Sequence, residues 1–225
     1  MDHLDLIERA LGQSPVISVG RMQTSKQRRR HVLLDGGLAA MAKWNSEEAL
    51  DGLGQIGREV AAWRLARALG LTALVPVTVL RDIAPSDGAP AQPASLQLLI
   101  ADAQTGGNLT ELQQTAVLEA AVFDRLIHVD SRTSSDNWLT ITKSDRRRPM
   151  LIDHADAFRA DRFASLSSLF VTHCAGTAVP DHLRPAIQSL ANDVDGVLPE
   201  LAHLIGGLRE GLAACAAELF SNPTI

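Results

Sequence analysis

The β-favouring and helical patterns of this chain are segregated along its length, and that segregation most restricts what it can fold into. Short β-branched or apolar runs at 16–19, 31–34, 38–44, 75–80 and 95–100 all fall in the first half. They read as strands. Asp35, Gly36 and Gly37 give a turn between two of them, and the Pro/Ala/Gly/Ser-rich run 85–93 is a loop. Two helices are expected there, over 4–11 and 55–69, and residues 46–50 are expected to begin another. In the second of these, Val60, Trp63, Leu65, Ala66 and Leu69 fall mostly at three- and four-residue steps, and Gly70 can cap its end. The second half is mainly helical, with apolar stripes over 110–127, 181–192, 198–205 and 208–220. One small hairpin interrupts it, residues 138–142 and 150–152 around a basic turn at 143–148.

Strands first and helices later specify an α+β protein rather than alternating βα units. The expected organisation is a small strand-rich N-lobe over 1–101 and a mostly helical C-lobe over 102–225. Two lobes create a cleft, the usual place for a small ligand. No internal repeat is visible.

Charge and cysteine usage exclude several function classes. The formal net charge is -5, whereas a nucleic-acid-binding domain needs a basic excess to neutralise phosphates. Nucleic acid is not the expected partner. Cys174 and Cys215 are isolated, with no CxxC pair, so neither a disulfide framework nor a zinc site is indicated. The first residues are acidic and amphipathic without an apolar signal core, and no apolar run approaches the ~20 residues that span a bilayer. A cytoplasmic, unexported protein is the expectation.

The chemistry is concentrated around the hairpin. Upstream lies Val129-Asp130-Ser131-Arg132-Thr133-Ser134-Ser135-Asp136-Asn137-Trp138, and downstream Leu151-Ile152-Asp153-His154-Ala155-Asp156-Ala157-Phe158. An Asp directly after an apolar strand, with an Asx-bearing loop one hairpin earlier, suits a divalent cation such as Mg²⁺, which takes hard oxygen ligands and keeps substrate phosphates in its shell. The hairpin brings Asn137 and Asp153 close. Asp130 is then placed to orient or deprotonate a hydroxyl. Alone, each of these residues is equally what caps and turns contain.

As an ordered set these segments resemble the catalytic and metal-binding loops of atypical bacterial kinases, the HipA-like and phosphatidylinositol-3/4-kinase-related proteins. Residues 57–71 and 75–79 resemble that group's helix αC and its following strand. The resemblance spans 33–158 and implies a two-lobed protein-kinase-like fold, ATP and Mg²⁺ as cofactors, and an unidentified phosphoacceptor, a protein or a small molecule. It implies Lys43 as the lysine pairing with ATP phosphates and Glu59 as its ion-pair partner. Leu98, Leu99, Ile100 and Ala101 become the hinge that holds the base. Asp130 becomes the catalytic Asp, and Asn137 and Asp153 the metal ligands.

The sequence departs from that group's pattern in places. Ser131 separates Asp130 from Arg132, Asn137 lies seven residues after Asp130, and the loop has no His. Asp136 therefore competes with Asp130 as the key loop carboxylate. No G-x-G-x-x-G precedes the first strands; only Gly20 stands before a basic run in which Lys26, Arg28, Arg29 and Arg30 can hold phosphates instead. Two readings follow, an active phosphotransferase and a pseudokinase-like binding or regulatory module.

Overall fold

Two antiparallel sheets, one on either side of residues 99–103, carry the strand content. The computed structural model describes residues 2–20, 28–45, 52–85, 88–158 and 166–225. Lys26 and the helix expected to begin at 46–50 lie outside these residues. Helix α1 (His3–Gln13) opens the chain with a capping box: the Asp2 carboxylate accepts from the Asp5 N–H, and the Asp5 carboxylate accepts from the Asp2 N–H. That pairing satisfies two donors the first turn leaves open.

The first sheet comprises β1 (Val16–Val19), β2 (Arg28–Leu34), β3 (Ala39–Trp44), β4 (Thr78–Ile83) and β5 (Gln92–Leu98), in the order β1-β2-β3-β5-β4. Every neighbouring pair is antiparallel. Gly36 and Gly37, at φ 82° and 80°, make the β2–β3 turn, in a backbone region that glycine enters without strain. Several strand ends differ from the sequence expectation: β2 begins at Arg28 rather than 31, and the strand expected over 150–152 runs Arg146–Leu151, so part of the expected basic turn is strand. Two further differences involve a proline. β5 starts at Gln92, ahead of the expected 95, because β4 pairs with it from Gln92 onward, whereas β3 pairs with it only from Ser95 to Leu98. Pro93, opposite Asp82, sits where β5 has a neighbour on one side alone, so its missing N–H costs no ladder bond. β4 starts at Thr78, because Pro76 cannot donate to a ladder. Val75 and Val77 are buried ahead of the strand instead.

Helix α2 (Gly54–Ala68) follows β3 and is buried on most of its sides, through Ile56, Val60, Trp63, Leu65 and Ala66 among others. A helix buried on most of its sides belongs to the interior. It stops in a Schellman motif: Gly70, at φ 73°, donates to Arg67 O and Leu71 donates to Ala66 O at 2.8 Å.

The second sheet is β6 (Gln104–Thr105), β7 (Trp138–Lys143) and β8 (Arg146–Leu151), in that order. Ser144 and Asp145 both adopt positive φ, 50° and 62°, the signature of a two-residue type I′ hairpin turn. Helix α3 (Gln114–Leu126) begins four residues later than its apolar stripe suggests. Asn108 caps a separate short turn over Leu109–Glu111, and the Gln113 N–H is used on Arg147 O at 2.8 Å. The remaining helices are α4 (Leu169–His173), α5 (Arg184–Asn192), α6 (Val194–Val197), α7 (Leu201–Ile205) and α8 (Leu208–Ser221). α5 packs on α8, and α7 packs on α2. Among the described residues no helix is long and apolar enough to cross a membrane.

The α2–α7 contact is unusually close. A Cβ on Gly57 would lie 2.0 Å from Leu204 O, a backbone atom that cannot swing aside. Gly57→Ala should therefore destabilise the protein by about 2–3 kcal/mol, although alanine is the better helix former by about 1 kcal/mol. Gly12, in α1, has nothing within 4 Å of its would-be Cβ. Gly12→Ala should be neutral or stabilising. Urea midpoints of the two variants against wild type decide the matter.

Candidate functional site

Lys43, on β3, is 8% exposed and its Nζ lies 2.5 Å from Glu59 Oε1 and 3.2 Å from Asp153 Oδ1. Strand β3, helix α2 and the segment after β8 thus meet at one ammonium. Burial pulls the Lys43 pKa down, but the charges of Glu59 and Asp153 outweigh it and hold the pKa above its ordinary value. Burial likewise pushes Glu59 up, and the Lys43 charge overrides it, leaving Glu59 at about 2. Both groups therefore carry full charge at neutral pH. His154 is fully buried behind them, with Nδ1 3.7 Å from Glu59 Oε2 and its ring edge-on to Phe123. Burial lowers its pKa below the ordinary histidine value, which suits a packed neutral ring.

Asp153 stands in the left-handed region, at φ 58°. Such a backbone persists where its surroundings over-determine it. Here Arg132 does so. Its guanidinium is fully buried, with Nε 3.0 Å from both oxygens of Asp124 on α3. Its NH1 donates to Ile152 O at 2.9 Å and also to Asn137 O. Ser168 Oγ closes the network by donating to Asp124 at 2.6 Å. One planar, permanently charged fork therefore fixes the backbone beside both expected metal ligands. Arg58, on α2, adds a hydrogen bond to Ala155 O at 2.9 Å. Sequence reasoning gave Arg132 no such role. An arginine among Ser, Thr and Asp looks solvated, and only its burial against Asp124 marks it.

A cleft opens over Lys43. Leu98, Leu99 and Ile100 of the expected hinge line it; Ala101 does not, and Ala103 does. The N–H groups of Leu98 and Leu99 are used on Val77 O and Ala39 O, whereas those of Ile100 and Ala101 give no hydrogen bond to any described residue. Asp153 and Asp136 line the cleft, and so does Arg29. Asp130 and Asn137 are not among its lining side chains. Asn137 lies at the end of a short turn over Ser135–Asn137, and its Nδ2 donates to Ser131 O at 2.8 Å. That bond leaves Oδ1 as the acceptor of the side chain. The hairpin does bring the Asn137 and Asp153 segments together, since Ile152 N donates to Asn137 O at 3.2 Å.

The oxygen donors here are two carboxylates and one amide, a set that suits a hard divalent cation. Among the described residues no three His, Cys, Asp or Glu side chains are grouped closely enough to hold a metal by themselves. The donor set therefore fits an ion whose shell is completed by ligand oxygens and does not fit a self-contained protein cage.

Several solved structures share this architecture. The Golgi casein kinase with Mn/ADP bound superposes with a TM-score of 0.67, at 11% identity, over 97% of this chain and 74% of that one. Hydra Fam20 with sugar gives 0.61 at 12% identity, over 99% and 91%. The Helicobacter pylori proinflammatory kinase CtkA gives 0.50 at 8% identity, over 95% and 94%. No family model matches the sequence, and no curated protein matches it. The fold is protein-kinase-like, with a strand-rich N-terminal part and a helical C-terminal part.

The buried pair makes stability depend on pH with a defined sign. The Glu59 pKa is depressed in the fold, to about 2. Its contribution is present above the unfolded carboxylate value, about 4.3, and is lost as pH falls from there through about 2. Glu59→Gln should cost about 3 kcal/mol at pH 7, because it leaves the buried Lys43 charge with Asp153 alone. That gap should narrow as pH falls below about 4.3, where wild-type Glu59 itself begins to protonate. Urea unfolding of both proteins at a series of pH values checks it.

Proposed function

We propose that this chain is an ATP- and Mg²⁺-dependent phosphotransferase acting on a hydroxyl of a protein or a small molecule. The observation that carries the reading is Lys43, buried at the cleft and held between Glu59 and Asp153. The kinase-like fold supports it, and so does the Mn/ADP bound to one similar structure. The same reading takes 1–101 and 102–225 as the two lobes and keeps the likeness of the loops to HipA-like and phosphatidylinositol-3/4-kinase-related proteins.

In this reading the base lies against Leu98, Leu99 and Ile100, where the unused N–H groups of Ile100 and Ala101 supply directional contacts. Lys43 faces the phosphates, and Glu59 fixes its position and its charge. Asp153 and the Asn137 amide oxygen are the ligands for the divalent ion, with Asp136 as a further donor at the same cleft. Such an ion, when bound, neutralises charge that builds on the phosphate oxygens. Positioning and charge neutralisation are most of what phosphoryl transfer requires of a protein. The acceptor oxygen bonds to the terminal phosphorus as the bond from phosphorus to the departing nucleoside diphosphate oxygen breaks. The hydroxyl proton passes to a loop carboxylate. Asp130 has that role by resemblance, and Asp136 is the one lining the cleft.

A second reading has a specific observation behind it. Because Asp130 does not line the cleft and Asn137 is tied to Ser131, the chain also suits a nucleotide-binding module without phosphotransfer. The two separate in one set of measurements. ATP with Mg²⁺ should raise the melting temperature of the purified protein, since ligand at a hundredfold excess over Kd stabilises by about 2.7 kcal/mol. Labelled γ-phosphate should appear on the protein itself or on a generic protein acceptor, and Asp153→Ala should reduce the rate at least about 100-fold. Equal rates in Asp153→Ala and wild type would sink the catalytic reading. A thermal shift without turnover selects the binding module, and neither shift nor turnover overturns both.

A further inference from the structure

We propose that Arg29 is the phosphate-binding residue of this cleft, a guanidinium standing where a glycine-rich loop would offer backbone amides. The inference rests on the reading of the cleft as a nucleotide site. It starts from the missing G-x-G-x-x-G. A loop of that kind holds phosphates with main-chain N–H groups, and between β1 and its basic run this sequence has Gly20 alone.

The strand register decides which residue of the run faces the cleft. In the β2–β3 ladder Arg29 is paired with Lys43, and His31 with Met41. Directly opposite residues of an antiparallel pair project on the same side. Arg29 therefore shares the face of Lys43, and both line the cleft together with Met41 and Asp153. Its neighbours in the run are directed elsewhere. Arg28 and Arg30 alternate to the other face; Arg28 is exposed, and Arg30 donates to Gly20 O at 3.4 Å.

Charge is the second observation. Lys43 has two carboxylates, whereas Arg29 has no hydrogen-bond or ion-pair partner among the described residues. Its Nε is buried and makes no hydrogen bond. Two cations directly across a strand pair repel, and a buried donor left without an acceptor is costly. An anion in the cleft removes both penalties. A guanidinium offers parallel N–H donors matched to phosphate oxygens, which an ammonium does not. The ligand class is a nucleoside di- or triphosphate, with Arg29 on its phosphates and no role in reading its base.

Calorimetric titration of adenosine and ADP, the latter with Mg²⁺, into wild type, Arg29→Ala and Arg29→Lys tests this. The expected result is an ADP affinity reduced about 10- to 100-fold in Arg29→Ala, with adenosine affinity unchanged. Arg29→Lys should recover part of the loss, and the salt dependence of ADP binding should be shallower in Arg29→Ala. An unchanged ADP affinity in Arg29→Ala overturns the proposal while leaving the nucleotide reading intact. Equal losses for ADP and adenosine also overturn it, since Arg29 would then shape the pocket as a whole. Wild type that binds neither compound brings down the nucleotide reading and this proposal with it.

Discussion

A lysine ammonium taken out of water stays charged only if carboxylates come with it, and the carboxylates around Lys43 arrive from two other parts of the chain. Glu59 comes from α2 and Asp153 from the turn after β8. Bare burial would favour the neutral amine by a wide margin. The Coulombic attraction of two anions reverses that balance and leaves the lysine more basic than in water. The position of α2 against the first sheet, and of the second hairpin against both, is therefore written into one electrostatic contact. α2 is held from its other side as well. Glu8 of α1 accepts from Trp63 Nε1 at 2.9 Å and from Arg64 and Arg67 at 2.7 Å. Trp63 lies one helical turn beyond Glu59, so the clamp at α1 and the pair at the cleft act on the same stretch of helix.

Arg132 performs the corresponding task for the loops. Asp124, on α3, neutralises it through Nε, and its NH1 is spent on main-chain carbonyls of residues 137 and 152. A lysine there would keep the charge and lose the fork, because its three donors radiate from one atom. Asp153 adopts its left-handed backbone next to this fixed point. The carboxylate that meets Lys43 is therefore positioned by a side chain of a different loop. Departure from an adjacent Asp-Arg pair, visible in the sequence as Ser131, coincides with an arginine turned entirely inward.

Much of the scaffold was legible from periodicity. The helix around Trp63 and the stripe of α3 follow directly from apolar spacing, whereas the hairpin was legible in outline only: residues 146–148, expected in its basic turn, pair with 141–143 in the ladder. Strand ends were displaced wherever Pro76 or Pro93 met a ladder, because whether a proline is tolerated depends on which side of the strand has a neighbour, and sequence does not carry that. The candidate site was legible only as residue types. Lys43 and Glu59 are sixteen residues apart and Asp153 is a further 94 on, so their meeting is a property of topology. Arg132 was hidden for a related reason: an arginine's role is set by what it is buried against. Arg29 was legible only as one member of a basic run, and the strand register, which sequence does not carry, singles it out.

Buried ion pairs are poor devices for stability. Replacing one with apolar side chains of similar volume is often neutral or stabilising, because desolvation consumes most of the Coulombic gain. This chain keeps two such networks, Lys43–Glu59 and Arg132–Asp124, within one region. Both converge on the Asp153 segment, Lys43 on its carboxylate and Arg132 on the preceding carbonyl. A core selected for stability alone has no reason to accumulate charge around one carboxylate at the edge of a cleft. Groups whose ionisation is shifted by specific partners, gathered at a concave surface, are instead what chemistry on a charged ligand requires. In the proposed reading that ligand is an anion, since Arg29 beside them has no hydrogen-bond or ion-pair partner among the described residues.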